Sequence, residues 1–250
     1  MLLAIPVYNE ERYLDRVISE VRRHASDILV IDDGSTDRTP LLLASHPVEV
    51  IRHATNRGYG RSMQDMMRWA DVDSYDWLIT MDCDEQHEPA AIPMFVEALR
   101  GDDADVISGS RYLLSAASDD APPPDRRSIN ATITAEINAR LGLGLTDSFC
   151  GFKAYRISAV KRLDLDVDGY DFPMQFWVQA AAHRLRIREV PVRLIYNDPT
   201  RTFGGPLNDA TVRLETYQRT LCRELRRCAD RLPREALSEL GALATSRRCA

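Results

Sequence analysis

The run Trp77-Leu78-Ile79-Thr80-Met81-Asp82-Cys83-Asp84-Glu85-Gln86-His87-Glu88-Pro89-Ala90 passes in one step from apolar residues to a cluster of oxygen-bearing side chains. A short, unbroken apolar run of this kind reads as a buried strand. If the strand continues past Met81, its alternation carries Asp82, Asp84 and Gln86 to one side, where their oxygens suit a hard cation. The same residues also suit an acidic loop capping a helix that begins at Pro89, since proline favours the first helical position and carboxylates favour the positive helix end. Taken alone, the stretch leaves both readings open.

The same transition recurs on either side of it. Residues 1–7 are apolar and end in Pro6-Val7-Tyr8-Asn9-Glu10; Tyr13, Leu14, Val17, Ile18 and Val21 then recur at helical spacing. Ile28-Leu29-Val30-Ile31 runs into Asp32-Asp33-Gly34-Ser35-Thr36-Asp37, completing a strand, helix, strand unit that favours parallel pairing. Residues 41–44 fit a short helix, and Val48-Glu49-Val50-Ile51 a third strand followed by Asn56-Arg57-Gly58-Tyr59-Gly60. Met63, Met66, Met67 and Ala70 form the core face of the next helix. Beyond the opening run, Ile92, Phe95, Val96 and Leu99 make a helix stopped by Gly101, and Val106-Ile107 leads into Ser108-Gly109-Ser110-Arg111-Tyr112. The fold class is therefore α/β, a Rossmann-like, mostly parallel central sheet flanked by helices. In such open sheets ligands lie outside the carboxyl ends of the strands, which is where each of these polar motifs falls.

The second half is less regular. Residues 115–125 carry three consecutive prolines and read as a mobile loop; a helix is expected over residues 129–141 and another over 173–185, with a strand over 187–196. Asp147-Ser148-Phe149-Cys150-Gly151-Phe152-Lys153 reads as an irregular polar and aromatic stretch. From 209 to 232, Leu214, Tyr217, Leu221, Leu225 and Leu232 form a stripe beside Arg219, Arg223, Arg227 and Arg231, and Pro233 begins a second short helix. That tail fits a helix packed on its own domain or on a second copy, and equally a surface helix on anionic lipid.

With 250 residues and 44% hydrophobic content the chain can bury a substantial core, and its formal net charge of -6 excludes a general nucleic-acid binder. The cysteines form no CxxC pair, so reduced thiols in a cytosolic setting are expected, and no apolar run is long enough to span a bilayer.

In order and spacing, PVYNE at residues 6–10, VIDDGSTD at 30–37, Asn56 with Gly58 and Gly60, and the DxDxQHxP string from Asp82 to Pro89 together resemble the family 2 inverting glycosyltransferases. The likeness is greatest to the branch of dolichol-phosphate mannose synthases and related polyprenyl-phosphate sugar transferases. Weaker support comes from Gly109-Ser110-Arg111-Tyr112, from residues 147–153 and from Glu189-Val190-Pro191-Val192. The resemblance implies a GT-A domain over residues 1–205, followed by a C-terminal helical extension over 206–250 that is also the candidate surface for a homo-oligomer. It implies a nucleotide sugar donor, GDP- or UDP-linked, held by Pro6, Tyr8, Glu10, Asp33 and Asp82, with Asp84 and Gln86 holding Mg²⁺ or Mn²⁺ against the diphosphate. His87 is assigned to the loop or cap. Arg111 and Arg201 match arginines that hold a lipid-phosphate acceptor, and Arg126 or Arg127 is a third candidate. The expected location is cytoplasmic, peripheral on the cytoplasmic membrane face.

Two departures bear on the acceptor. Pro206-Leu207 stands where that branch carries a Ser-Lys pair, and Gln175 where it carries a glutamate. A hydroxyl acceptor needs a general base, for which Asp171 is the candidate, whereas a phosphate monoester with a second pKa of about 6 is already ionised at neutral pH. The expected activity is hexose transfer to a polyprenyl phosphate. A soluble or glycan hydroxyl acceptor, or nucleotide-sugar binding without transfer, are the alternatives.

Overall fold

The computed structural model describes residues 1–114, 120–196 and 202–238. In chain order the elements are β1 (Leu2–Val7), α1 (Leu14–Val21), β2 (Ile28–Asp32), α2 (Thr39–Leu43), β3 (Glu49–Arg52), α3 (Tyr59–Val72), β4 (Trp77–Thr80), α4 (Ile92–Leu99), β5 (Val106–Ser110), α5 (Pro124–Leu141), β6 (Lys153–Arg156), α6 (Ile157–Val160), α7 (Phe172–Ala182), β7 (Ile187–Pro191) and α8 (Ala210–Arg227). The sheet runs β3-β2-β1-β4-β6-β5-β7. Only β6 is antiparallel to its neighbours.

Alternation along the strands divides the core into two layers. Leu2, Ala4, Leu29, Ile31, Leu78 and Val106 face a layer shared with α3, α5, α7 and α8. Leu3, Ile5, Val30, Ile79 and Ile107 face the other, under α1 and α4. Both faces are covered, which is why the central strands are unbroken apolar runs. On α1, Leu14, Val17, Ile18 and Val21 are buried, as their spacing predicts.

The acidic stretch departs from the expected strand. β4 ends at Thr80, and Glu85 has φ 60°, a left-handed conformation that no continuing strand adopts. Asp82, Asp84 and Gln86 are therefore gathered by a folded loop and not by alternation. β6 carries no clear strand signal in the sequence, because its four residues, Lys-Ala-Tyr-Arg, have a charge at each end. α5 starts at Pro124, so the end of the expected loop is helix; proline serves as its first-turn residue. The strand expected over 187–196 is assigned only through Pro191, which has no N–H for the ladder.

The tail helix α8 lays Tyr217, Leu221, Leu225 and Cys228 into the same core layer as α7. Of the readings left open for it, the stripe is occupied by its own domain. Asp209 caps its start, accepting from the Thr211 and Val212 N–H groups. Cys83, Cys150 and Cys228 are buried free thiols. Among the described residues no helix is long and apolar enough to cross a membrane.

Candidate active site

Parallel pairing sends the carboxyl ends of β1, β2, β4 and β5 to one edge. Because β6 runs the other way, its amino end, and with it residues 147–152, arrives at that same edge. A cleft of about 950 Å³ opens there, walled on the far side by α5, the start of α7 and α8.

Pro6, Tyr8, Glu10 and Asp33 line one end of the cleft together with Asn56 and Gly58. The β1 and β2 loops are tied to one another: Asn9 N–H donates to Ser35 Oγ at 2.9 Å, Glu10 N–H to Thr39 Oγ1 at 2.9 Å, and Asn9 Oδ1 accepts from Thr36 N–H at 2.8 Å. Asp33 is buried, and both carboxylate oxygens accept from the glycine loop, Oδ1 from Arg57 N–H and Oδ2 from Gly58 N–H, each at 2.8 Å. His53 Nδ1 lies 2.6 Å from the same Oδ1. Asp33 thus shapes the cleft by clamping residues 57 and 58 as well as lining it. Gly58 has φ 101°, and a Cβ there would stand 2.4 Å from the Asp168 carbonyl oxygen, so only glycine fits.

Asp82, Asp84 and Gln86 line the middle. Asp84 Oδ1 accepts from Gln86 N–H at 3.1 Å, which turns the loop back, and both residues line the cleft. Glu85 points away to pair with Arg16. His87 is no part of the cleft lining. It is buried, and its Nδ1 accepts from Asp82 N–H at 2.9 Å, which leaves the proton of a neutral ring on Nε2, 3.8 Å from Cys150 Sγ. Burial lowers its pKa to about 4, against the opposing pull of Asp84. The 3.7 Å approach of Nδ1 to Asp82 Oδ2 is accordingly not an ion pair at neutral pH.

Asp84 and Gln86 fit a hard divalent cation by donor chemistry, both offering oxygen. Among the described residues no group of three or more His, Cys, Asp or Glu is placed to hold an ion alone. Two such oxygens would leave the rest of a cation's coordination shell to other ligands.

The other end is built from arginines and aromatic rings. Arg111 lines it, held by a bidentate pair with the fully buried Asp147: Nε to Oδ2 at 2.6 Å and Nη2 to Oδ1 at 3.0 Å. Burial by itself would raise the Asp147 carboxyl, but the Arg111 charge and the hydrogen bonds from Arg111 and Asn130 hold it well below the carboxylate range. Glu189 fixes that loop from beneath, accepting from Thr146 N–H at 2.9 Å and Asp147 N–H at 3.1 Å. Arg126 also lines the cleft, its guanidinium 4.9 Å from the Phe203 ring centre, while Arg127 lies 3.7 Å over Tyr112. Of the two candidates, Arg126 is the one in the cleft lining.

Arg201 lies outside the described residues. Asp171 is not among the residues that line the cleft; its Oδ2 accepts from Thr220 Oγ1 at 2.5 Å, joining α7 to α8. Gln175 is buried, and its Oε1 accepts from Asp166 N–H at 2.8 Å and Val167 N–H at 2.9 Å, so the amide serves a loop.

Sequence reasoning missed Arg213. It lines the cleft although almost wholly buried, with Nη1 donating to the Leu207 carbonyl at 2.7 Å, Nη2 to Asp125 at 2.5 Å, and its guanidinium 4.4 Å from the Phe203 ring centre. The available signal was its position, one helical turn before Tyr217 on the buried stripe, where a charge needs a reason.

Residues 3–164 match the family described as glycosyl transferase family 2. The chain is 32% identical over 229 residues to an undecaprenyl-phosphate mannosyltransferase of Micrococcus luteus, covering 87% of this chain and 93% of that protein. It is 30% identical over 204 residues to a polyprenol monophosphomannose synthase of Mycolicibacterium smegmatis, covering 76% of each. Among solved structures, the Mycobacterium tuberculosis glucosyl-3-phosphoglycerate synthase, in complex with Mn²⁺, UDP and glucosyl-3-phosphoglycerate, superposes with a TM-score of 0.68 at 18% identity, over 93% of this chain and 80% of that one. At that identity the likeness speaks for the fold, which is the expected GT-A arrangement.

Proposed function

Because the chain belongs to glycosyl transferase family 2 and is a glycosyltransferase, we propose that it moves a hexose from a nucleotide sugar to a polyprenyl phosphate at the cytoplasmic membrane face, inverting the anomeric carbon. The observation that carries this reading is the polarity of the cleft, carboxylate-rich at the strand-end loops and arginine-rich and aromatic beneath α8. The names of the relatives from Micrococcus luteus and Mycolicibacterium smegmatis support the same acceptor class.

In this reading Pro6, Tyr8, Glu10 and Asp33 seat the nucleoside, with Asp82 on the nucleotide side. Asp84 and Gln86 would hold Mg²⁺ or Mn²⁺, which would supply Lewis-acid stabilisation of negative charge on the departing diphosphate. Arg111, oriented by Asp147, presents its remaining N–H edge to the acceptor phosphate, and Arg126 and Arg213 add positive charge beside it. Tyr170, Phe203 and Tyr217 offer apolar faces for the first isoprenyl carbons. A phosphate oxygen that is already ionised needs no proton acceptor, which agrees with the candidate base, Asp171, standing outside the cleft lining and bonded by Thr220. Attack by that oxygen on the face opposite the departing diphosphate forms the new glycosidic bond and releases the nucleoside diphosphate.

Incubation of the full chain with GDP- and UDP-hexoses, Mg²⁺ or Mn²⁺ and a polyprenyl phosphate should yield a lipid-linked sugar. Failure with every donor, together with glycosylation of a soluble hydroxyl acceptor that depends on Asp171, would replace the lipid acceptor with a sugar or glycan.

A further inference from the structure

Asp82 meets one residue of its own loop and one distant in sequence. Its backbone N–H donates to the buried His87 ring at 2.9 Å. Its carboxylate lies against the Cα of Gly151: a Cβ added there would stand 2.6 Å from Oδ2, 3.0 Å from Oδ1 and 3.1 Å from Cγ. Gly151 is not among the glycines with positive φ, so its backbone conformation is open to any residue. What glycine supplies at this position is clearance.

The backbone around Gly151 has little room to retreat. The Gly151 carbonyl accepts from the buried Thr80 Oγ1 at 2.8 Å, the Cys150 carbonyl accepts from Lys153 Nζ, and the Phe152 carbonyl accepts from Gly109 N–H at 2.8 Å. Immediately afterwards β6 enters the sheet, with Lys153 paired to Thr80 on one side and to Ser108 on the other. The Asp82 side chain, by contrast, is one-third exposed at 33% and lines the cleft. A methyl group at residue 151 would therefore displace the carboxylate before it displaced the strand.

We propose that Gly151 is a positioning residue for Asp82, its missing side chain defining the one place on the cleft floor where the carboxylate rests. The functional half of this inference relies on the reading of Asp82 as a nucleotide-side group. Residues 150–152 then link the Asp147–Arg111 pair at one end of the cleft to the acidic loop in the middle. A side chain kept in one rotamer by its supporting shell is what a site with fixed geometry requires, and an error of about 1 Å in such a group can cost on the order of 10²-fold in rate.

The test is a cycle of Gly151→Ala, Asp82→Ala and the double variant, read by donor kinetics at fixed acceptor and by thermal midpoint. Gly151→Ala should remain folded, lose about 10²-fold in donor kcat/KM, and add nothing to the defect of Asp82→Ala when combined with it. Any fall in midpoint caused by Gly151→Ala should vanish in the Asp82→Ala background, where the carboxylate it collides with is gone. Wild-type kinetics in Gly151→Ala, defects that multiply in the double variant, or a midpoint loss that persists without the carboxylate would each overturn the proposal. Should Asp82→Ala turn out fully active, the nucleotide-side reading of Asp82 fails. A crystal structure of Gly151→Ala then decides the positioning claim, supporting it if Asp82 has left its wild-type rotamer and overturning it if it has not.

Discussion

The two ends of the cleft are made in different ways. The end lined by Pro6, Tyr8, Glu10 and Asp33 and the acidic loop beside it are strand-end turns, each a few residues long and each announced by its own motif. The arginine end draws Arg111 from the exit of β5, Arg126 from α5 and Arg213 from α8, with Asp147 inserted from the loop before β6. The first relies on backbone turns and therefore on local sequence. The second relies on buried charge, and a buried charge is stable only with its partner in place.

That difference can be broken most forcefully at Asp147. Asp147→Ala leaves Arg111 buried without its counter-ion and should destabilise the fold by about 3–5 kcal/mol in urea denaturation; a loss under about 1 kcal/mol would mean that the pair is solvated. The pH dependence has a definite sign. Folding lowers the Asp147 pKa, since Arg111 outweighs burial, so the folded state binds fewer protons at that group than the unfolded state does. Its contribution is complete above the unfolded carboxylate pKa of about 3.9 and is lost as the pH falls below that. Acid unfolding of Asp147→Asn should accordingly be less steep than that of the wild type, and identical profiles would remove the carboxylate from the argument.

At the acidic loop the opposite pattern is expected, function without stability. Asp84→Asn should lower donor turnover by on the order of 10²–10³-fold, a magnitude typical of a lost electrostatic contact to a developing charge. Its thermal midpoint should stay near wild type, because the bond of that carboxylate to Gln86 N–H can also be made by an amide oxygen. Unchanged turnover across a Mn²⁺ titration would strike Asp84 from the metal site.

The smallest effect belongs to Arg213. Arg213→Lys keeps the charge but loses the planar group that bridges Asp125, the Leu207 carbonyl and the Phe203 face. An increase of roughly tenfold in the acceptor KM is expected, about 1.4 kcal/mol and within the range of a cation–π contact, with donor KM unmoved. A rise in donor KM instead would place Arg213 outside the acceptor end.

Much of this was legible in the residues. The apolar runs placed the Asp33 turn and the acidic loop at strand ends, and the family resemblance singled out Asp33 and Asp84 within them. The roles were less legible than the positions. Asp33 proves to be a clamp on Arg57 and Gly58 as well as a lining residue, since a carboxylate beside unpaired loop N–H groups accepts from them regardless of what else it does. Asp171, drawn from the residues before a helix, faces Thr220 of α8, a partner 49 positions away in the chain.

The sequence by itself determined the alternation of strands and helices, the side of the sheet where ligands go and the residues that reach that side through their own strands. These follow from periodicity and from the direction of a strand, both local properties. Tertiary structure alone decided that β6 enters antiparallel and so brings Asp147 to Arg111 and Gly151 to Asp82, and that Arg213 reaches the cleft from a helix more than one hundred residues beyond the acidic loop. The physical reason is that an ion pair and a steric clearance are both properties of two residues at once, and neither is present in the local pattern around the residues that make them.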